Sequence, residues 1–287
     1  MLGKNNNKIT NNNRADKLNN TTMASGKNSI TEGFKILIKY RYLIWMLSLK
    51  ELKTQYRGSY LGFFWSLMNP LLLLIIYTFL FVIVFKNPAK AYPVYLFCGI
   101  LPFTWFQSSI LVGTASISGG GSLVSKSLMP PEIIVMSKIG ANLLNYLLAV
   151  PILILFVYIF KMRVGLPLLY FPLLIIIEFL LIAGVSLFFA ALNVFYRDIQ
   201  FIILNLTTFL FFSMPVMYFD KQLPLKIRHL IYLNPVAYIM KCFQDIFYFN
   251  VPPRPLFVLG ILFISLIFFI AGYAYFAARK ELFSEFV

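Results

Sequence analysis

Six long apolar runs, separated by short polar breaks, dominate this sequence. A helix needs about 20 consecutive apolar residues to cross a hydrocarbon core about 30 Å thick. Backbone amides find no water there, so runs of that length read as spanning helices whose hydrogen bonds close within the segment. Composition agrees: 60% of the 287 residues are hydrophobic and 12% are charged, with 31 Phe and 17 Tyr. The expected fold class is all-α integral membrane. It has six transmembrane helices, an N-terminal amphipathic interface helix and short outer re-entrant helices. Any function is then one that a bundle of spans can perform.

Residues 1–33 are expected to form a disordered tail, rich in Asn (Asn5, Asn6, Asn7, Asn11, Asn12, Asn13) and lacking the apolar core of a signal peptide. Residues 34–58 are expected to form the interface helix, and 59–287 a single six-span domain. The formal charge of +15 does not point to nucleic acid, because 11 of the 25 Lys and Arg residues precede the first span. Basic residues beside a span set orientation and meet anionic headgroups. Cys98 and Cys242 are too few for a disulfide framework or a metal cluster. One falls in a span and the other in a loop, so no bridge between them is expected.

From Phe34 to Arg57 charge breaks up the apolar residues. Lys35, Lys39, Lys50, Lys53 and Arg57 share one helical stripe, with Tyr42 and Met46 filling its gap. Ile36, Leu37, Leu43, Ile44, Trp45 and Leu47 occupy the rest of the surface. Such a helix suits a membrane interface; an ordinary packed helix of a soluble segment is the other reading. The spans are expected near Tyr60–Phe85, Tyr92–Ile117, Ile139–Phe160, Leu168–Phe195, Ile199–Phe219 and Pro255–Ala278. Gly119, Gly120 and Gly121 end the second, and a polar segment, Ser122–Lys138, precedes the third. With the amino terminus inside, inner segments carry 16 basic residues and outer ones 9, so both termini are expected in the cytoplasm. The long outer segment Asp220–Arg254 patterns as two short helices dipping into the membrane, or as a surface loop packed on the span ends, with Asn234-Pro235 between its apolar stretches.

Residues suited to catalysis are scarce. His229 is the only histidine, and the ten acids are scattered without metal-ligand spacing. Gly3-Lys4 and Gly26-Lys27 lack the earlier Gly and the following Ser or Thr of a phosphate-binding loop, so an ATP-driven pump would hold its nucleotide on another chain. No catalytic, metal or cofactor residue is assigned to this chain. Glu178 is the one acid deep in a span. A carboxylate there costs roughly 2.5–3.5 kcal/mol to insert, so it faces the interior or water. It serves gating or polar packing, or it is a neutral group bonded to a neighbouring helix. Pro70, Pro102, Pro151 and Pro215 are expected inside spans, where each removes a backbone donor. The first, second and fifth spans are rich in aromatic residues, which present flat faces to sugar rings or simply pack.

The run Tyr56-Arg57-Gly58-Ser59-Tyr60-Leu61-Gly62-Phe63-Phe64-Trp65, followed by Asn69-Pro70-Leu71, resembles the entry to the first span of polysaccharide-export ABC permeases. These are the type 2 ABC exporters of O-antigen, capsule and teichoic acid. Ser122-Leu123-Val124-Ser125-Lys126 with Pro130, Pro131 and Glu132 resembles their loop between spans two and three. Tyr196-Arg197-Asp198-Ile199 resembles their fourth-to-fifth loop, and Leu233-Asn234-Pro235 their outer segment. Met129 departs from the pattern, since an aromatic is common before Pro130.

The resemblance implies a homodimer with two separate ATP-binding subunits, which hold ATP and Mg. It implies coupling to those subunits through Ser122, Lys126, Pro130, Glu132, Arg197 and Asp198. It also implies a path between subunits lined by the first and fifth spans, which makes Phe63, Trp65, Tyr77, Phe212 and Tyr218 candidates for sugar contact. The function it implies is export of a lipid-linked polysaccharide or polyol-phosphate polymer across the bacterial cytoplasmic (inner) membrane. The alternatives are a type 2 exporter of small molecules such as drugs, a membrane-embedded glycosyl- or acyltransferase, and a channel-like subunit uncoupled from ATP.

Overall fold

The computed structural model describes residues 35–60, 62, 64–86, 90–120 and 129–286. The expected tail at 1–33, and Phe34 at the head of the interface helix, lie outside the described residues. Regular structure among the described residues is helical. A helical turn at 35–39 leads into α1 (Arg41–Gln55). Next come α2 (Phe64–Thr78), continued by a π-helical stretch at Phe79–Val84, then α3 (Tyr92–Ala115) and α4 (Pro131–Ile159). A 3-10 turn at Leu166–Tyr170 opens α5 (Phe171–Phe195), and α6 (Ile199–Ser213) follows it. The outer segment forms α7 (Leu225–Ile231) and α8 (Pro235–Gln244), before α9 (Pro255–Ala277) and a short α10 (Phe283–Phe286).

Among the described residues five segments are long and apolar enough to cross a membrane: Leu67–Val84, Tyr92–Ala115, Pro131–Ile159, Leu166–Phe195 and Pro255–Ala277. The fifth expected span departs from its predicted course. Its helix α6 has 15 residues, about 22 Å of rise against the roughly 30 Å of a hydrocarbon core. The cause is Pro215. The residue before a proline is pushed out of the helical region, and Met214 sits at φ −95°, ψ 155°. Pro215 itself has no N–H to donate. Pro70, Pro102 and Pro151, by contrast, lie within α2, α3 and α4 without ending them.

Irregular backbone is tolerated at membrane depth only where protein groups satisfy it, and Met214, Pro215, Val216 and Met217 are buried. Tyr92 of α3 donates its hydroxyl to the Met217 carbonyl. The Tyr95 hydroxyl lies 2.7 Å from Tyr218 O and 3.1 Å from Pro215 O, and donates to one at a time. Gln244 Nε2 donates to Pro215 O at 3.0 Å. The outer segment therefore does structural work. Its helix α8 starts at Pro235, and Asn234 Oδ1 caps it by accepting from Val236 N at 3.0 Å. Two short helices stand here, so of the two readings that the apolar pattern left open the helical one matches the secondary structure. Burial pushes the Asp245 carboxyl at the end of α8 above the usual range, while Lys241, 2.7 Å away, pulls it back.

The third span begins at Pro131 rather than at Ile139. Pro131 takes the first helical position, where a missing N–H costs nothing. The polar residues after it are absorbed within the helix: Ser137 Oγ donates to Ile134 O at 2.8 Å, and Lys138 pairs with Glu51 of α1. Along α1 and the turns that flank it, Lys35, Lys39, Lys50, Lys53 and Arg57 are all exposed, as are Ile38, Tyr42, Trp45 and Met46. Its other face packs on α4, and Ser48 is buried against Gly140, whose added Cβ would lie 2.3 Å from Ser48 Oγ.

α3 is the hub, with 17 of its 24 residues buried, whereas the first span is mostly uncovered. The tightest helix contact joins α5 to α9. A Cβ at Gly272 would lie 2.0 Å from Gly184 O, and one at Gly184 would lie 2.4 Å from Phe268 O. Small residues permit such backbone approach between spans. Gly272→Ala and Gly184→Ala are each expected to destabilise the protein by about 1–3 kcal/mol through overpacking, read as a lowered thermal midpoint in detergent. Gly260→Ala, where nothing lies within 4 Å, serves as the unaffected control.

Candidate functional site

A cavity of about 680 Å³ opens between α1, α2, α3 and α4. The sequence puts amides and hydroxyls on its walls at depths where the rest of the bundle is apolar. Asn69 comes from α2, one residue before Pro70, and Thr104, Gln107 and Ser108 come from one face of α3. Asn142 and Asn145, three residues apart and so on one face of α4, complete the polar wall. Aromatic rings supply the remainder: Trp65, Trp105 and Tyr146, the last two stacked with centroids 4.9 Å apart and planes 14° apart. Among the described residues none that lines the cavity carries a charge.

Most of these polar groups are internally engaged. Thr104 Oγ1 donates to Leu101 O at 2.8 Å, and Ser108 Oγ to Thr104 O at 2.6 Å. Gln107 Nε2 donates to Thr207 Oγ1 of α6 at 3.2 Å. Tyr56 donates to Asn145 Oδ1, and Asn145 Nδ2 to Gln55 Oε1, each at 3.3 Å. Two donors stand apart. Asn142 Nδ2 and Trp105 Nε1 are buried without a hydrogen-bond partner among the described residues.

A second constellation gathers at one end of the bundle. Glu132, in the first turn of α4, has no exposed surface. Its Oε1 lies 2.8 Å from Lys280 Nζ and accepts from the Tyr273 hydroxyl of α9 at 3.2 Å. The chain beyond α9 therefore folds back onto the start of α4. There Phe283 is buried against Phe276, centroids 5.1 Å apart. At the same end Asn193 Nδ2 donates to Ser118 Oγ at 2.7 Å, and its Oδ1 accepts from Gln200 N at 3.3 Å. One side chain thus ties the 196–198 turn to the segment leaving α3.

The expected site residues divide accordingly. Ser122, Lys126 and Phe63 lie outside the described residues. Pro130 caps α4, and Arg197 and Asp198 are exposed in the turn before α6. Glu132 is enclosed, so it reaches a partner only through the segments it braces. Trp65 borders the cavity, half-exposed. Tyr77 packs on Phe211 at 5.7 Å, and Phe212, exposed, adjoins the same ring at 5.4 Å. Tyr218 instead donates to Ser213 O at 2.9 Å and helps close the break after α6. Tyr77 and Phe212 thus share one aromatic cluster, and Trp65 and Tyr218 lie elsewhere.

His229 is exposed, with Nδ1 2.8 Å from Leu225 O. Glu178 is buried on α5, and neither carboxylate oxygen has a hydrogen-bond partner among the described residues. The expected bond to a neighbouring helix is not formed there. Lys280, Tyr273, Asn193 and Asn142 were not singled out from sequence. An acid just inside one span end and a base just beyond another was the available signal for the Glu132–Lys280 pair.

The described residues thus form a helical bundle with five segments long and apolar enough to cross a membrane, a polar cavity and polar ties at one end. The model of the family "ABC-2 type transporter" matches residues 42–248, and the chain belongs to that family. Among its relatives is an O-antigen export system permease protein RfbA of Myxococcus xanthus. It is 31% identical over 251 residues, covering 87% of this chain and 96% of the relative. Two permeases of the same name from Klebsiella pneumoniae are similar as well. One is 30% identical over 206 residues (71% of this chain, 80% of the relative), the other 29% over 245 residues (85% and 94%).

Removing one partner of a buried ion pair strands a charge, at a cost of about 3–5 kcal/mol. Lys280→Met is expected near the lower end, about 3 kcal/mol, since the Lys280 side chain is 28% exposed. The double variant Glu132→Gln/Lys280→Met is expected to recover most of that loss. Thermal unfolding of the purified single and double variants gives the coupling energy.

Proposed function

We propose that this chain is the membrane-spanning permease subunit of an ATP-driven exporter. It moves a lipid-linked polysaccharide or polyol-phosphate polymer across the bacterial cytoplasmic membrane. The observation that carries the reading is the match to O-antigen export permeases over nearly their whole length. The subunit works as a homodimer with two separate ATP-binding subunits, which hold ATP and Mg. In this reading α6 and the return at 214–219 together form the fifth of six spans, and both termini face the cytoplasm. The exposed lysines and apolar residues of α1 lie in the membrane interface. The exposed apolar faces of α2 and α6 meet lipid or the second copy.

Coupling follows from the fastened end. Closure of an ATPase dimer beneath the bundle moves the loops at 121–130 and 196–198. Elements with two discrete packings convert such a push into displacement of spans. Asn193 moves the two loops together, and the Glu132–Lys280 pair passes the displacement to α9.

The transferase reading finds little support in an exposed His229 hydrogen-bonded to its own helix. Export of small molecules is separated by substrate. Deleting the gene in its native host is expected to abolish surface polymer, and the chain supplied with its ATPase is expected to restore it. Restored surface polymer with unchanged drug resistance favours the polymer; the reverse result favours the drug exporter. Arg197→Glu is expected to leave ATP hydrolysis of the complex within about twofold, a free-energy change of about 0.4 kcal/mol, while export falls at least tenfold. Normal export by that variant removes Arg197 from coupling.

A further inference from the structure

α1 gathers positive charge on the face it turns away from the bundle. Met46, Lys50, Lys53 and Arg57 recur at steps of 4, 3 and 4, which sets them on one side of the helix and the turn beyond it. Ser48, buried against α4, lies about half a turn round from them. Together with Leu49 and Thr54 they line a groove of about 400 Å³. Lys50, Lys53, Thr54 and Arg57 are exposed, and none of the three cations forms an ion pair among the described residues. The adjacent acid, Glu51, is taken by Lys138 of α4. Three unanswered positive charges along about 10 Å of helix favour a negatively charged ligand.

The apolar part of the groove narrows the chemistry. Met46 and Leu49 line it, and Ile38, Tyr42 and Trp45 continue that character as exposed residues toward the start of α1. A free anion gains nothing from such a surface. A lipid lays its chains there and its phosphate on the cations, whose long stems reach outward. Position narrows it further. No residue lining the groove also lines the cavity between α1 and α4, so the occupant comes from the surrounding leaflet and not from a route inside the bundle. Residues 1–33 do not answer the charge either, with five Lys or Arg against two acids. We propose that the Lys50–Lys53–Arg57 groove holds the headgroup of an anionic phospholipid of the inner leaflet, with the Thr54 hydroxyl donating to its phosphate. The lipid steadies α1 and, through Glu51 and Lys138, the start of α4, so that transport depends on lipid charge. This rests on the reading that α1 lies in the membrane interface, and adds to it one site of fixed place and composition.

The test titrates the permease–ATPase complex in neutral detergent with phosphatidylglycerol or phosphatidylcholine and counts bound lipid by native mass spectrometry. Phosphatidylglycerol is expected to bind more tightly, because choline cancels the phosphate charge of the other lipid. Lys53→Gln is expected to weaken it about fivefold, the worth of one cation at an anionic lipid, and Lys50→Gln/Lys53→Gln/Arg57→Gln by about tenfold or more. Lys35→Gln/Lys39→Gln, which removes cations outside the groove, is expected to leave it within about twofold. In nanodiscs, ATP hydrolysis is expected to rise when phosphatidylglycerol replaces phosphatidylcholine, and to stay level in the triple variant. Equal losses in the triple and the Lys35/Lys39 variants mark general attraction to a charged surface and overturn the site. So does displacement of the lipid by millimolar inorganic phosphate, or tighter binding of undecaprenyl pyrophosphate, which would assign the groove to cargo. Loss of the ATPase from the triple variant marks a protein contact and overturns it too. Brominated phosphatidylcholine is expected to quench Trp45, read as the difference from Trp45→Phe. No quenching takes α1 out of the interface; quenching with equal binding of the two lipids removes the site alone.

Discussion

A chain in a bilayer must satisfy its own peptide groups, and the least regular part of this structure shows how strictly that holds. Where Pro215 ends α6, the freed carbonyls of Ser213, Pro215, Met217 and Tyr218 lose their helical donors. Each lies within reach of a side-chain donor from Tyr92, Tyr95, Gln244 or Tyr218. Two of those donors lie on α3 and one at the end of α8. The broken helix is thereby tied both to α3 and to the outer helix α8. Remove the outer segment and the bend loses a partner that no lipid tail can replace.

At the opposite end the fastening is ionic and polar. Glu132 with Lys280, Glu51 with Lys138, and Asn193 with Ser118 each join segments distant in sequence. Such pairs hold geometry more than they add stability, since taking charges out of water offsets much of their attraction. The cavity between α1, α2, α3 and α4 is polar, and no charged side chain lines it among the described residues.

Much of the fold was legible in the sequence, because run length and the bilayer thickness answer to each other. The spans beginning at Tyr92 and Pro255 start where the apolar pattern placed them. The lysine stripe of α1 faces outward, because 3.6-residue periodicity shows in sequence whatever the neighbours. The misses have a common origin in partners remote along the chain. Lys138 reads as loop until Glu51 is seen beside it, so α4 was begun too late. Pro215 looked like Pro70 or Pro102, because sequence does not show whether outside donors will replace a lost bond. The pairing of Glu132 with Lys280 went unread because Lys280 stands at the far end of the chain. The cavity was the least legible element. Asn142 and Trp105 are ordinary span residues until their environment shows that nothing answers them.

The glycine contact between α5 and α9 bears on where the molecule can bend. Two spans whose backbones touch at Gly184 and Gly272 have no side-chain layer over which to slide. They behave as one plank, with the clasp at Lys280 nailed to its end. The strand of the bundle left loose is α2, which the rest of the chain barely covers. A displacement that reaches α9 through Lys280 would carry α5 with it as one body.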